Sequence, residues 1–464
     1  QQTYNFLLIL QIFMAFSSVI AIIWSLSINC NYVPFLLLLL ISIFFFVSIY
    51  ISNNKFKILE LDKKSCILSI FITWIVLILM GTIPLYIIFP EEEIKNIFFL
   101  SVSLSTTSGI WTEIENINKP EFFIWQAILQ WLGGLCTILV GSFFVEMVLR
   151  KKSILKDYFS IENIKIIFYL FLSLTVIFTI LFKLLLNSWS EAIQLSMALI
   201  STSNGYNPNG EIIVETNVIT KIVMIFAMIF GSLSINLHYK SFANGFLYYF
   251  KNKNFKLALI LIFSFTFFVT LGLFNNVKIS FFEKYIETCF LIISFISTTG
   301  LVPNDLYQYG ALTNLVLVLG LLTLIGGSVS STTGGVKPTR LIYIYKYISI
   351  ELFRLCNPRK IKAKEQIYSI DETSQIFIFT ILYLSIIPIL SSIMSLFEIN
   401  FGEAFIIVIS AFSNTGIGLI EIADIDYYPD TFMEIILLSI IMLCGRIEIF
   451  ITMILLSSIF WKKI

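Results

Sequence analysis

Thr106-Thr107-Ser108-Gly109 follows an apolar run with three hydroxyl side chains and a glycine, and strings of the same kind recur at Thr202-Ser203-Asn204-Gly205, Ser297-Thr298-Thr299-Gly300 and Ser413-Asn414-Thr415-Gly416. Their glycines are 96, 95 and 116 positions apart, so the chain is built from four similar units. A ring of backbone carbonyls that replaces the hydration shell of a cation needs small, hydroxyl-rich, Gly-ended turns embedded in hydrophobic sequence. The chain reads as an ion pathway folded from a single polypeptide.

Working outward, the composition sets the solvent. Hydrophobic residues make up 58% of the chain, charged ones 13%, and the mean hydropathy is +0.92. Soluble domains carry about 25% charge, so this is a membrane protein. Apolar stretches near the bilayer-crossing length of about 20 residues fall at 4–27, 33–52, 67–89, 122–149, 163–187, 216–239, 255–274, 309–349, 373–397 and 431–461. Lipid offers no partner for backbone polar groups, so a helical bundle of about ten spans is expected. The first stretch is too long, and lacks the small-residue site, for a cleaved signal peptide. The cysteines Cys30, Cys66, Cys136, Cys289, Cys356 and Cys444 show no metal or redox spacing, so neither a disulfide framework nor a metal centre is expected.

Charge is nearly balanced in number but not in place. Basic residues gather at 55–64, 150–165, 240–256, 337–364 and 462–463, which are alternate ends of the expected spans. The positive-inside rule puts them, with both termini, in the cytoplasm. Carboxylates gather on the other side, at Glu91–Glu93, Glu113, Glu115, Glu191, Glu211, Glu283, Glu287, Glu403 and 421–430. A mouth of that sign concentrates cations.

Each unit has one plan: a span, a shorter amphipathic segment, the Gly turn, and a second span. The short segments, near 93–105, 190–201, 281–296 and 401–412, cannot cross a bilayer alone. Glu91–Glu93, Glu191, Glu283 and Glu403 lie at or near their starts, where carboxylates suit a helix dipole. Each short helix is therefore expected to start outside and dip inward. Ser, Thr, Asn and Gly also favour ordinary helix-ending turns; it is four copies in equivalent places that point to a pore. The expected organisation is an all-α membrane protein with two N-terminal helices at 1–66 and pore repeats at 67–160, 161–254, 255–371 and 372–464.

The third repeat's second span is interrupted by Gly326-Gly327-Ser328-Val329-Ser330-Ser331-Thr332-Thr333-Gly334-Gly335. Such backbone is tolerated at membrane depth only where it lines a cavity or is buried in protein. It is expected on the cytoplasmic side of the filter as an obstructing flap; the bland alternative is a loop outside the membrane with Lys337 at the interface. Arg446, in Gly445-Arg446-Ile447-Glu448, falls in the middle of a span, where a charge usually faces an interior cavity. It reads as a fixed positive barrier on the ion path, or as the partner of Glu448 or Glu146. His238 beside Tyr239 and Lys240 reads as an interfacial anchor, and Trp131-Leu132-Gly133-Gly134 as a close helix contact.

Together, Gln130-Trp131-Leu132-Gly133-Gly134, the 326–335 segment running into Val336-Lys337, Ser413-Asn414-Thr415-Gly416-Ile417-Gly418-Leu419 and Gly445-Arg446-Ile447-Glu448 resemble the Trk/Ktr/HKT superfamily of potassium transporters. The two extra N-terminal helices make the chain similar to its bacterial TrkH branch. The resemblance implies that Gly109, Gly205, Gly300 and Gly416 line a potassium path, that the interrupted helix is an intramembrane gating loop, and that Arg446 sits beneath the filter. It also implies a homodimer in the inner (plasma) membrane, surrounded by lipid, with a pore in each protomer. A cytosolic TrkA-like nucleotide-binding subunit would dock on the basic face. Glycine at 109, where sodium-preferring plant relatives carry serine, favours potassium, while Thr202-Ser203-Asn204-Gly205 departs from the usual pattern of the second repeat.

The expectation is potassium uptake through a gated pore, with symport coupled to sodium or protons as the rival. A secondary carrier with discontinuous helices usually shows a two-fold repeat. An intramembrane serine hydrolase could conscript Ser328, Ser330, Ser331 and His238, but no catalytic signature surrounds them. No P-loop spacing is present, so nucleotide would act through a partner. No cofactor of the chain itself and no nucleic-acid partner are expected.

Overall fold

The computed structural model describes residues 2–52, 63–114, 117–149, 161–204, 217–273, 280–303, 315–356, 370–447 and 449–461, and every regular element among them is helical. Leucine, isoleucine and phenylalanine dominate these helices, which satisfy their backbone groups internally as lipid demands. Helices Gln2–Ile28 and Val33–Ser52 come first. Four repeats follow, each an outer helix, a short helix where a pore helix is expected (called the pore helix below) and an inner helix. The outer helices are Lys63–Ile88, Ile161–Leu185, Lys253–Leu273 and Ile370–Met394. The pore helices are Ile94–Ser105, Trp189–Ile200, Phe281–Ile296 and Phe401–Ser413. The inner elements start at Pro120, Val218, Val316 and Phe432.

Local chemistry sets the pore-helix starts. Ser188 and Ser280 cap the second and third, accepting from the backbone N–H of Glu191 (3.1 Å) and Glu283 (3.3 Å). The Ser280 hydroxyl also donates to the Glu283 carboxylate at 2.9 Å. These serine N-caps start the two helices at a defined residue. In the fourth, Asn400 donates to Glu403 at 3.1 Å.

The repeats close into a ring. Each pore helix packs against its own outer helix and also against the inner element of the repeat before it: the second on Pro120–Leu149, the third on Val218–Ser232, the fourth on Val316–Ile325, and the first on Phe432–Ile447. The last contact joins the end of the chain to its first repeat. The N-terminal pair packs outside this ring, on Lys63–Ile88 and Pro120–Leu149. Burial follows position: 17% of the apolar window of Val33–Ser52 is buried, against 83% for Pro120–Ser142.

Of the ten expected spans, six are continuous helices of crossing length among the described residues, within 2–28, 33–52, 63–88, 120–149, 161–185 and 370–397. Lys253–Leu273 is a further helix of 21 residues, and the other three are short or broken. Val218–Ser232 and Ile235–Asn244 form a pair bent by 106°. Val316–Ile325 stops at the 326–337 interruption before Pro338–Cys356, and Phe432–Ile447 is followed by Ile449–Leu456. The break at 326–335 was legible in its four glycines; the bend at Leu233 was not, because Gly231-Ser232-Leu233-Ser234 carries no comparable signal.

Candidate functional site: four pore-helix turns above a broken helix

All four pore helices end in the same way. The chain turns left-handed one residue after the cap in the first three, at Thr107 (φ 56°), Thr202 (48°) and Thr298 (55°), and at the cap itself in the fourth, Asn414 (55°). Their N–H groups bond back to Leu104, Leu199, Phe295 and Ala411 at 3.0–3.3 Å. The N–H groups of Ser108, Ser203, Thr299 and Thr415 reach five residues back, to Ser103, Ala198, Ser294 and Ser410, at 2.8–3.0 Å. This is the left-handed helix stop in which otherwise orphaned carbonyls are satisfied. A hydroxyl pair spans each turn: Thr106–Ser108 at 3.0 Å, Ser201–Ser203 at 3.2 Å, Ser297–Thr299 at 2.7 Å and Ser413–Thr415 at 2.7 Å.

These bonds correct the register of the second repeat. The residue after Ser108, Thr299 and Thr415 is glycine, at 109, 300 and 416; after Ser203 it is Asn204. The second turn is therefore Ser201-Thr202-Ser203-Asn204, one residue earlier than an alignment on glycine suggests. Gly205 follows this position and lies outside the described residues, and Ser201 was missed. The helix-end hydrogen bonds decide the matter, since they are periodic in backbone while the glycine is not.

Neighbouring turns meet around the ring. A Cβ built on Gly109 would stand 2.8 Å from the Asn204 Cβ, one on Gly300 2.0 Å from the Thr415 carbonyl oxygen, and one on Gly416 1.7 Å from that of Ser108. Gly109, Gly300 and Gly416 also have φ between 70° and 86°, a region open to glycine. The Gln130 amide donates to the Asn204 carbonyl at 3.0 Å, giving the Gln130-Trp131-Leu132-Gly133-Gly134 motif a contact with the turn. Gly133 fulfils its expectation of close packing: its built Cβ would lie 1.8 Å from the Ser105 carbonyl oxygen. The turns are buried and lined with hydroxyls and carbonyls, hard neutral oxygens suited to an alkali cation. At the start of the first pore helix, Glu91, Glu92, Glu93, Glu113 and Asp430, with Lys95 and Lys119, line an open cavity of about 840 Å³. Its charge is net negative, the sign that concentrates cations.

The left-handed residues anchor what lies beneath. Thr202 Oγ1 is 3.0 Å from Thr332 Oγ1, which is 3.0 Å from the Gly231 carbonyl. The Gly334 N–H donates to Thr298 Oγ1 at 3.1 Å, and the Asn414 amide donates to the Met442 carbonyl at 3.0 Å and to Ser108 Oγ at 2.6 Å. Arg446, 4% exposed, donates from Nε to the Thr106 carbonyl and from its terminal nitrogens to the Thr332 carbonyl and the Thr107 hydroxyl. One guanidinium thus ties the first turn to the broken helix. Glu448 and the side chain of Glu146 lie outside the described residues.

The interruption is packed inside the protein. Gly326, Gly327 and 330–337 are buried, with Ser328 and Val329 partly so. Gly327 N–H donates to Thr333 Oγ1 at 3.0 Å, and the Ser331 hydroxyl lies 2.8 Å from the same atom. A built Cβ on Gly334 would stand 2.0 Å from the Ser413 carbonyl oxygen, and one on Gly326 2.1 Å from that of Gly334, while Gly335 is left-handed (φ 83°). Lys337 is buried and bonded to Thr333, so it does not mark a membrane interface. Between Ser330, Ser331, Gly335 and Arg446 the remaining cavity is about 20 Å³, room for about one water.

Several residues escaped the sequence reading. Lys221, in the second inner helix, forms a buried ion pair with Glu287 of the third pore helix. A lysine three residues inside an apolar helix was the available signal. His238 is not an interfacial anchor: it is 1% exposed, with Nε2 3.0 Å from the Phe230 carbonyl and Nδ1 2.7 Å from the Tyr249 hydroxyl. A carbonyl can only accept, so Nε2 donates, and in the neutral ring Nδ1 accepts from tyrosine. His238 therefore staples the two arms of the bent span to the short helix Tyr248–Lys251.

No protein-family model matches the chain. Among curated proteins, it is similar to the Trk system potassium uptake protein TrkH of Vibrio parahaemolyticus, 25% identical and covering 93% of each chain. TrkH of Escherichia coli is also 25% identical, over 90% of this chain and 91% of its own. An uncharacterized cation transporter of Methanocaldococcus jannaschii is 26% identical over 74% of this chain and 72% of its own. Among solved structures, the crystal structure of the potassium transporter TrkH from Vibrio parahaemolyticus superposes with a TM-score of 0.84 and 22% identity, covering both chains completely.

Proposed function

We propose how this chain, a TrkH-family potassium or cation uptake transporter and not an enzyme, conducts. Potassium passes down the axis of the four pore-helix turns. The selectivity filter is formed by Thr106–Gly109, Ser201–Asn204, Ser297–Gly300 and Ser413–Gly416. Carbonyl and hydroxyl oxygens exchange for the hydration shell of the ion, and the pore-helix C-terminal ends, partially negative, face the dehydrated cation.

The 326–335 segment and Arg446 are the gate. The observation that carries this reading is the bridge made by Arg446 between the first turn and Thr332, over a cavity of about 20 Å³. A dehydrated cation at that point would meet a buried positive charge in low dielectric, a large barrier at short range. Opening requires Arg446 and the broken helix to part from the turns. The hydroxyls of Ser328, Ser330 and Ser331 then serve as structural ligands of the segment. From the resemblance of the sequence motifs alone, we extend the proposal to a homodimer in the inner membrane with its termini in the cytoplasm, regulated by a cytosolic TrkA-like nucleotide-binding subunit.

Rubidium flux into proteoliposomes holding this chain, with sodium and proton gradients varied separately, tests the reading. Flux that follows the potassium gradient alone is expected. A requirement for a sodium or proton gradient would replace gated conduction by symport. If the chain alone is silent, adding a cytosolic partner must release flux.

A further inference from the structure

The bent span of the second repeat borders a cavity that the ion path does not use. Its volume is about 520 Å³, the size of a small-molecule site. The wall is almost wholly apolar: Leu174 and Phe178 come from the outer helix, Val223 and Phe230 from the upper arm of the bend, and Ser241 and Tyr249 from the lower arm and the helix after it. Beside it the chain is basic. Lys240 adjoins Ser241, Lys251 is two residues past Tyr249, and Lys256 follows; all three are exposed. The lower arm, Ile235–Asn244, buries Ile235, Leu237, His238 and Ser241 while exposing Tyr239, Lys240 and Phe242. An amphipathic helix with lysine on its polar face, turned 106° from a spanning arm, has the geometry of a helix lying in the membrane interface.

We propose that this cavity holds an acyl chain of an anionic phospholipid whose headgroup is bound by Lys240 and Lys251. An apolar hollow with exposed lysines close in the chain to its lining residues Ser241 and Tyr249 matches the two halves of such a lipid. An uncharged lipid would fill the hollow and leave the rim unused. The site also touches the gate. The Ser328 N–H and hydroxyl both donate to the Ser232 carbonyl, at 2.9 and 2.8 Å, and the Ile235 N–H donates to the Ser330 carbonyl at 3.2 Å. The broken helix is thus hung on the crook of the bend, and the His238 staple fixes that crook against the cavity wall. An acyl chain lodged between the arms favours the bent state and with it the seated gate. This regulatory half rests on the gated-pore reading; the binding half does not.

The test uses the full-length purified protein. Native mass spectrometry compares retention of phosphatidylglycerol with phosphatidylcholine of the same acyl chains. Preferential retention of phosphatidylglycerol is expected, weakened roughly fivefold by each of Lys240→Gln and Lys251→Gln, while Val223→Trp, which fills the hollow, removes retention of both lipids. Equal retention of the two lipids by the unaltered protein, or no effect of the lysine variants, would overturn the proposal. The lysines are exposed, so these variants decide the question even where Val223→Trp fails to fold. For the regulatory half, basal rubidium flux is compared in vesicles with and without phosphatidylglycerol. Lower flux with the anionic lipid, abolished by the double lysine variant, is expected. Unchanged flux with intact retention would overturn the coupling and leave the site standing. Failure of the gate itself would show separately, as an Arg446→Ala variant with unaltered flux.

Discussion

Asn204 stands where the other three turns have Gly109, Gly300 and Gly416, so the ring is chemically unequal even though its backbone hydrogen bonds repeat. Gly109 packs against Asn204, and a side chain there meets both that contact and a left-handed φ of 70°. Gly109→Ser is expected to lower the preference for potassium over sodium in competition flux assays; unchanged selectivity would remove this turn from the filter. Gly133 tolerates less. An added methyl would sit 1.8 Å from the Ser105 carbonyl oxygen, so Gly133→Ala must push the first pore helix away. A loss of about 3 kcal/mol is expected from such overpacking, visible as a lowered melting temperature in detergent. Arg446→Ala removes the bridge between the first turn and Thr332, and basal flux should rise. A dead but well-folded variant would make Arg446 a structural tie alone. Of these residues, Arg446 and the three glycines were legible in the sequence, because charge and missing side chains stand out in an apolar chain. Ser201 was not, because a serine at a helix end looks like any other.

At the scale of elements, the inner span of each repeat carries the contacts that seat its neighbour's pore helix, and two of these spans are visibly remodelled. The second bends by 106° and the third unwinds over 326–337. The two distortions hold each other through Ser232, Ser328, Ser330 and Ile235. Thr332 adds a link to Thr202 and Gly231. Thr332→Val keeps the shape and removes the hydroxyl. A net loss of about 1 kcal/mol should raise basal rubidium flux roughly fivefold; flux equal to that of the unaltered chain would free Thr332 of a gating role. The Lys221–Glu287 pair joins the second inner helix to the third pore helix. Lys221→Met strands a buried carboxylate and should cost about 3–5 kcal/mol, whereas Lys221→Met with Glu287→Leu should recover most of it. A thermal double-mutant cycle measures this, and additive effects would show the pair to be uncoupled. Unwinding at 326–335 could be read from glycines and hydroxyls in a row. The partner bend could not: Gly231-Ser232 permits a kink but does not demand one, and the hydrogen bonds that hold the bend come from a segment about a hundred positions later.

At the scale of the molecule, the chain by itself determined the solvent, the helical class and the four-fold repeat. Each follows from local quantities: long apolar runs, backbone that must satisfy itself in lipid, and recurring strings of small hydroxyl residues. It also determined where the helix would break and which arginine was out of place. Closure was decided by tertiary structure. Phe432–Ile447 returns to pack on Ile94–Ser105, more than three hundred residues earlier, and so turns four hairpins into one ring. The register of the second turn, the burial of Lys337, the stapling by His238 and the pairing of Lys221 with Glu287 were likewise settled there. The physical reason is common to all of them. A sequence states which groups need partners, and for groups far apart along the chain only the packed fold decides which partner each one meets.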